Sequence, residues 1–135
     1  MLFRSKIKGK IKYMDIFSAV PYEDTIATMI VTKSELKIIL SELYSHMKKK
    51  KKYNTILYAG FTFEKQKGSI ANLKIDKTNV DAEKITLAIS SYYIEYPGNK
   101  FPEIRKIAKS GKAKYKNTGI PIRNALIDYL VKFCR

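Results

Sequence analysis

The helical pattern that begins at Thr32 constrains the fold more than any other feature of the 135-residue sequence. Thr32 stands three residues before Glu35, which is the spacing of a capping box, where each side chain satisfies a free backbone N–H of the other residue. Apolar residues then recur at intervals of three and four along one face, from Leu36 to Met47. The pattern predicts a helix over residues 33–49, with lysines in its last turn, where they stabilise the negative end of the helix dipole.

Four other segments are predicted to be strands, because their apolar residues alternate or form a short run between turn signals. These segments are residues 6–13, 25–31, 54–66 and 69–77. The last two are joined at Lys67-Gly68, which predicts a hairpin.

The C-terminal part of the sequence is predicted to be mainly helical. Helical spacing and flanking prolines predict helices over residues 85–96, over residues 102–109 and from Pro121 onward. The inward residues of the last helix are expected to be Ile122, Leu126, Tyr129, Leu130 and Phe133. The sequence therefore predicts one α+β domain over residues 1–135. A small, mainly antiparallel sheet of about four strands would pack with about three to four helices, which lie mainly in the C-terminal half.

Several kinds of protein and site are excluded by composition. No apolar run approaches the roughly 18 residues that a membrane span needs, and the N-terminal segment lacks the continuous apolar core of a signal peptide. We therefore expect a soluble, cytoplasmic protein. Cys134 and His46 are the only cysteine and histidine, so we expect neither a disulfide within the chain nor a transition-metal site. The sequence has no Gly-rich phosphate loop, and we predict no cofactor and no catalytic residue.

The net charge of +15, from 27 Lys and Arg against 12 Asp and Glu, is the strongest indication of function. In the folded state such an excess of positive charges is destabilising, because the charges repel one another. Proteins with this excess typically bind a polyanionic partner. Residues 6–13 and 109–116 carry lysines mainly at alternate positions. On an extended chain such lysines stand about 6.6 Å apart, close to the roughly 6.8 Å of two phosphate steps along a duplex strand.

We therefore predict that the chain binds nucleic acid, either DNA or RNA, mainly through the phosphate backbone. Sequence preference should be weak, because lysine contacts position phosphates without reading bases, and the chain has only 4 arginines. Tyr115 is expected to stack on an unpaired base, and Arg123 and Asn124 are expected to contact nucleic acid from the start of the last helix. The complete set of predicted contact residues is Lys6, Lys8, Lys10, Lys12, Lys48, Lys49, Lys50, Lys51, Lys52, Lys109, Lys112, Lys114, Tyr115, Lys116, Arg123 and Asn124.

Other interpretations of the same features stay open. Alternating lysines also protect an edge strand from pairing with other chains, and Arg123 could form a salt bridge with Asp128. Tyr58, with Phe61 and Phe63, would form an aromatic platform if one face of its strand were exposed, and core packing is the alternative. The alternative functions are a basic interaction or inhibitor protein of a phage or mobile element that docks on an acidic protein, and a small metal-independent ribonuclease. The oligomeric state is also left open.

Overall fold

The computed structural model describes residues 9–50, 56–76, 83–96, 98 and 100–133. Within these residues the fold is α+β with antiparallel strand pairing, which confirms the predicted class. The elements in chain order are α1 (Tyr13–Ala19), β1 (Thr25–Val31), α2 (Lys33–Lys50), β2 (Phe61–Gln66), β3 (Ser69–Ile75), β4 (Ile85–Ser90), α3 (Tyr92–Glu95), α4 (Pro102–Lys109), β5 (Lys116–Pro121) and α5 (Ile122–Phe133).

The central strand of the larger sheet is β1, which lies between β4 and β5 and pairs antiparallel with both. Alternate side chains of β1 point into the core, where Ala27, Met29 and Val31 are buried. Helices α2 and α4 pack on this core through a cluster that includes Leu40 and Ile104. The capping box at the start of α2 forms as predicted: the Glu35 N–H donates to the Thr32 hydroxyl oxygen, and the Thr32 N–H donates to the Glu35 carboxylate.

The second sheet is the predicted hairpin of β2 and β3. Its turn residues Lys67 and Gly68 have φ angles of 48° and 85°. Positive φ at both central residues is the requirement of the type I′ turn, whose twist matches that of the strands it joins. Ile70 and Leu73 of β3 are buried, and β3 contacts α2, so the hairpin extends the same core.

Two predicted elements are wrong within the described residues. Residues 85–96 were expected to form one helix, but residues 85–90 pair with β1 as β4, and only Tyr92–Glu95 are helical. Pairing with a buried central strand outweighs helical spacing here, and Ile85, Thr86 and Ile89 are β-branched residues that suit a strand. The predicted strand over residues 6–13 is also absent from its described part, because Gly9 has φ of 76° and α1 begins at Tyr13.

The last helix starts where the sequence predicts, but none of its residues is buried. Tyr129 and Phe133, which were expected to point inward, are 58% and 62% exposed. Helix α5 contacts α1 and β5, and none of its residues is buried. It therefore lies on the outside of the larger sheet and leaves these two stacked rings, 4.8 Å apart between centroids, in solvent.

Candidate functional site

A cleft of about 340 Å³ lies where the start of β1 meets the end of β4 and the start of β5. It is named here the network cleft, because hydrogen bonds join four of its side chains, those of Thr25, Ser91, Glu95 and Asn117. Its lining residues are Glu23, Asp24, Thr25, Ser91, Tyr92, Glu95, Tyr96 and Asn117. The antiparallel topology brings them together: the Ser91 N–H donates to the Thr25 carbonyl at 2.9 Å, and Ala27 of β1 pairs with Asn117 of β5.

The hydrogen-bond network of the cleft is centred on Asn117. Its side-chain N–H₂ donates to both oxygens of Glu95 at 2.9 Å, and its Oδ1 accepts from the Gly119 N–H at 2.9 Å. The Thr25 hydroxyl lies 2.8 Å from Oδ1 of Asn117 and 2.9 Å from Oγ of Ser91. Because Thr25 has one hydroxyl hydrogen and Oδ1 can only accept, this hydrogen points to Asn117 and the Ser91 hydroxyl donates to Thr25. The amide of Asn117 is thereby fixed in one orientation.

Tyr115 also belongs to this network, through a hydrogen bond to Glu95. Its hydroxyl donates to Oε1 of Glu95 at 2.6 Å, which is the short distance expected when the acceptor is charged. Burial, followed by the hydrogen bond to Glu95 and the charge of Glu95, raises the pKa of the Tyr115 hydroxyl well above its ordinary value. The phenol therefore stays protonated and keeps donating, so two side chains, those of Tyr115 and Asn117, hold the Glu95 side chain in place.

One wall of the network cleft is aromatic. The rings of Tyr92 and Tyr96 are 4.7 Å apart between centroids, and Tyr96 is 44% exposed. Nζ of Lys100 lies 4.9 Å from the centroid of the Tyr96 ring. Behind this wall the buried ring of Phe101 contacts Tyr92 at 6.2 Å and Tyr93 at 5.0 Å between centroids. The cleft thus combines an exposed ring with fixed polar groups.

Asp24 lines this cleft and lies close enough to Tyr93 for its charge to act on the Tyr93 hydroxyl. Burial raises the pKa of the Asp24 carboxyl above its ordinary value. Burial also raises the pKa of the Tyr93 hydroxyl, and the charges of Tyr92 and Asp24 add to that effect. Within the described residues, no group of three His, Cys, Asp or Glu side chains is arranged to hold a metal ion.

A second cleft of about 580 Å³, named here the lysine cleft, lies between α2 and α4. It is lined by Lys37, Ile38, Ser41, Glu42, Ser45, His46, Lys100, Pro102 and Glu103. Glu42 caps the start of α4, since its two carboxylate oxygens accept from the backbone N–H groups of Glu103 at 3.0 Å and Ile104 at 2.8 Å.

The predicted lysine contacts are distributed over separate elements, and those described line neither cleft. Lys6, Lys8, Lys51 and Lys52 lie outside the described residues. The backbone of Lys48, Lys49 and Lys50 forms the last turn of α2. The remaining six are exposed: Lys10 and Lys12 before α1, Lys109 at the end of α4, Lys112 in the following turn, Lys114 after it, and Lys116 at the start of β5.

The segment 109–116 is not the extended, core-free loop that its alternating lysines predicted. Residues 110–113 form a turn, closed by the Ala113 N–H donating to the Ser110 carbonyl at 3.1 Å. Ala113 is 1% exposed, and its carbonyl accepts from the Ile30 N–H at 2.7 Å. Lys114 then has φ of 44°, which is not extended backbone. The ring of Tyr115 is half-buried, and its hydroxyl is committed to Glu95.

Arg123 ties α5 to the segment between α1 and β1. Its Nε donates to the Val20 carbonyl at 2.9 Å, its Nη2 donates to the Tyr22 carbonyl at 3.3 Å, and its guanidinium lies 3.9 Å from the Phe17 ring centroid. Asn124 is exposed on α5. The guanidinium of Arg123 therefore holds two elements together, and these contacts differ from both the phosphate contact and the Asp128 salt bridge considered from sequence.

The aromatic residues of the hairpin are divided between core and surface. Phe61 and Phe63 pack against the core, whereas Tyr58 is 45% exposed and stacks on Phe61 with 4.9 Å between centroids. Sequence reasoning missed the network cleft itself, although acidic residues in a basic chain gave one signal: Glu23, Asp24 and Glu95 all line it.

Comparison with known proteins identifies a family. A family model described as 5'-nucleotidase, C-terminal domain, matches residues 1–104. The solved structure of Haemophilus influenzae NAD nucleotidase is similar in fold, with a TM-score of 0.72 and 14% identity over 90% of this chain. This chain spans 24% of that protein's chain. No curated protein matches the sequence significantly. None of the described helices is long and apolar enough to cross a membrane.

These findings overturn the predicted function and partners. Nucleic-acid binding, docking on an acidic protein, a phage or mobile-element factor and the ribonuclease alternative are all wrong, because the matching family model is that of a 5'-nucleotidase C-terminal domain. The error came from net charge, which reports an attraction to anions without distinguishing a polymer from a single nucleotide. Since the family model matches residues 1–104 of the 135, the chain belongs to the family of 5'-nucleotidase C-terminal domains.

Proposed function

We propose that this chain binds a nucleotide in the network cleft and so supplies substrate recognition to a nucleotide-hydrolysing enzyme. Membership of the 5'-nucleotidase C-terminal domain family supports the substrate class, as does the similarity in fold to an NAD nucleotidase. Because the chain spans 24% of that nucleotidase, we assign recognition to it and leave hydrolysis to the complete enzyme.

The observation that carries the proposal is the exposed Tyr96 ring beside the fixed Glu95 carboxylate. Tyr96 presents 44% of its surface to solvent at the edge of the cleft. Stacking of one base on an aromatic ring contributes about 1–3 kcal/mol, and every base has a face that can stack. The ring is backed by Tyr92 and by the buried Phe101, so little conformational freedom remains to be lost on binding.

Glu95 is suited to accept from a ribose hydroxyl. Tyr115 and Asn117 together donate three hydrogen bonds to its carboxylate, which has about four acceptor sites. An acidic side chain that accepts from ribose hydroxyls is a recurring device of nucleotide sites. The donors hold Glu95 in place before the ligand arrives, which reduces the entropy cost of binding.

The phosphate of the nucleotide is placed beyond Tyr96, on the side of Lys100. The lining of the network cleft contains three carboxylates and neither lysine nor arginine, so a phosphate inside it would be repelled. Nζ of Lys100 lies 4.9 Å from the centroid of the Tyr96 ring and supplies a positive charge beside a stacked base.

Calorimetric titration of the chain with adenosine 5'-monophosphate tests the proposal. We expect saturable binding that Tyr96→Ala weakens about tenfold, which corresponds to the loss of one stacked ring. Tyr129→Ala is the matched control, because it removes an exposed tyrosine ring on α5 that lines neither cleft. Glu95→Gln should also weaken binding of the mononucleotide. It should lower the affinities for adenosine and for 2'-deoxyadenosine to different extents.

Two results would count against this placement. Absence of binding at millimolar concentrations would reject nucleotide recognition by this chain. A loss of affinity with Tyr58→Ala and none with Tyr96→Ala would move the base to the exposed ring on the hairpin side.

A further inference from the structure

We propose that Ser91 and Thr25 are positioning residues for sugar recognition, because their hydroxyls fix the amide of Asn117, which in turn orients Glu95. The inference rests on the proposed function of the network cleft and adds to it the groups that set sugar specificity. Each hydroxyl acts through the next side chain and not by touching the ligand. With Glu95 held in this way, the cleft prefers a ribonucleoside to a 2'-deoxyribonucleoside.

The hydrogen bonds from Ser91 to Glu95 run in one direction. Oδ1 of Asn117 can only accept, so the Thr25 hydroxyl, 2.8 Å away, donates its one hydrogen to it. The Thr25 oxygen then accepts from the Ser91 hydroxyl at 2.9 Å. The side-chain N–H₂ of Asn117 donates to both Glu95 oxygens at 2.9 Å. These three donors, named here the donor series, polarise one another, so each hydrogen bond strengthens the next.

The first donor of the series is held in the interior of the protein. Ser91 is 6% exposed, and its Oγ accepts from the Thr25 backbone N–H at 3.1 Å. Its own hydroxyl hydrogen is therefore left for the Thr25 oxygen. The Ser91 backbone N–H donates to the Thr25 carbonyl at 2.9 Å, and its carbonyl accepts from the Glu95 N–H at 2.8 Å. Ser91 thus connects β1 to α3, the helix whose last residue is Glu95.

Glu95 needs this support because its position in the fold restrains it little. It is an exposed residue at the end of a helix of four residues. Tyr115 donates to Oε1, whereas Asn117 donates to both oxygens. Oε2 is therefore the oxygen with more remaining capacity to accept from a ribose hydroxyl, and Asn117 fixes its position.

The Gly119 N–H shows what Thr25 adds to the orientation of Asn117. It also donates to Oδ1 of Asn117, at 2.9 Å, from two residues further along β5. This hydrogen bond fixes the amide relative to its own strand. Thr25 lies on β1, so its hydroxyl fixes the amide relative to the neighbouring strand and, through Ser91, relative to α3. Loss of the Thr25 hydroxyl should therefore loosen Asn117 without releasing it.

Titration of the full chain with adenosine and with 2'-deoxyadenosine tests the inference. We expect adenosine to bind more tightly, and Thr25→Val, which removes the hydroxyl and keeps the branched shape, to lower its affinity about threefold to tenfold. Affinity for 2'-deoxyadenosine should stay nearly constant, because it lacks the 2'-hydroxyl from which Glu95 accepts. Thr25→Ser, which restores the hydroxyl, should restore the preference. Thr28→Val is the control, since it makes the same change on β1 at a residue that lines neither cleft.

A measurement without ligand separates this inference from the proposed function. In nuclear magnetic resonance spectra of isotope-labelled protein, the side-chain amide signals of Asn117 should shift with Thr25→Val. They should also shift with Ser91→Ala, which acts from two hydrogen bonds away, and stay in place with Thr28→Val.

Three results would overturn the role of the donor series. These are unshifted Asn117 signals, equal affinity of the unchanged protein for the two nucleosides, and an equal loss of both affinities on Thr25→Val, which a merely structural effect would produce. In each case Tyr96-dependent binding of adenosine 5'-monophosphate would preserve the proposed function. Failure of the nucleosides and the mononucleotide to bind would reject both proposals.

Discussion

Glu42 and Ile104 are 62 residues apart in the sequence, yet a hydrogen bond of 2.8 Å joins the Glu42 carboxylate to the Ile104 backbone N–H. The same carboxylate accepts from the Glu103 N–H, so a side chain of α2 acts as the N-terminal cap of α4. Phe101, which occupies the cap position of α4, makes no side-chain cap of its own. This contact adds to the apolar packing that joins the two helices on either side of the lysine cleft.

Removal of this cap should destabilise the domain. Glu42→Ala leaves two N–H groups of α4 without their acceptor, and loss of a cap typically costs about 1–2 kcal/mol. We expect the free energy of unfolding in urea to fall by about that amount. Glu103→Ala, which removes an exposed carboxylate of the same cleft and no cap, should change it by less than about 0.5 kcal/mol. Equal effects of the two substitutions would show that the cap contributes no stability.

Loss of the Tyr115 hydroxyl should affect both stability and ligand affinity. Tyr115→Phe keeps the packed ring and removes the donor to Glu95, at a cost of about 1 kcal/mol for one partly exposed hydrogen bond. Nucleotide affinity should also fall, because Glu95 loses one of the two side chains that hold it. Tyr129→Phe, on an exposed ring, is the control for both measurements. Unchanged affinity would mean that Glu95 does not contact the nucleotide.

The stability effect of Asp24 should depend on pH. Burial raises the pKa of this carboxyl, so the folded state disfavours the charged form relative to the unfolded state. This cost is present above the ordinary pKa of about 4 and disappears as the pH falls below it, because the group is then protonated in both states. Asp24→Asn should therefore raise the melting temperature at pH 7, and the gain should shrink toward pH 3. Asp128→Asn, at an exposed position, is the control. A gain that is equal at both pH values would exclude titration of Asp24 as its cause.

Lys114 should tolerate glycine better than Lys112 does. The φ of 44° at Lys114 lies in the left-handed region, which costs a side-chain-bearing residue about 1 kcal/mol or more and costs glycine nothing. Lys112 is outside that region, so glycine there only adds freedom to the unfolded chain, at about 0.5–1 kcal/mol. We expect Lys114→Gly to be more stable than Lys112→Gly by about 1 kcal/mol in urea unfolding. The reverse order would contradict the described backbone of this turn.

Local signals in the sequence predicted the elements that local physics determines. The capping box of Thr32 and Glu35, the Lys67-Gly68 turn and the proline in the first turn of α4 each act within a few residues, and all three are present in the structure. The helix predicted over residues 85–96 was wrong because the conformation of this segment depends on β1. Residues 85–90 pair with β1, which is more than fifty residues away in the sequence. Spacing within a segment contains no information about a distant partner.

The network cleft could not be predicted for the same reason. Thr25, Ser91 and Asn117 come from three strands or strand ends, and none belongs to a motif of its own. Lysines gave a strong signal because they cluster in sequence, but clustering on the surface does not build a site. The sequence predicted that the ring of Tyr115 would stack on a base, whereas in the structure its hydroxyl donates a hydrogen bond to Glu95.

Because α5 lies exposed on the outside of the fold, it should unfold locally before the central strand does. None of its residues is buried, whereas Ala27, Met29 and Val31 of the neighbouring β1 are at most 1% exposed. Segments with few buried contacts unfold locally at a small fraction of the global free energy. Amide hydrogens of α5 should therefore exchange with deuterium well before those of β1, by detachment of the helix. The Ile122 N–H at the start of α5 donates to the Asp24 carbonyl at 2.9 Å. We expect the local unfolding to end at this hydrogen bond and to leave the network cleft intact.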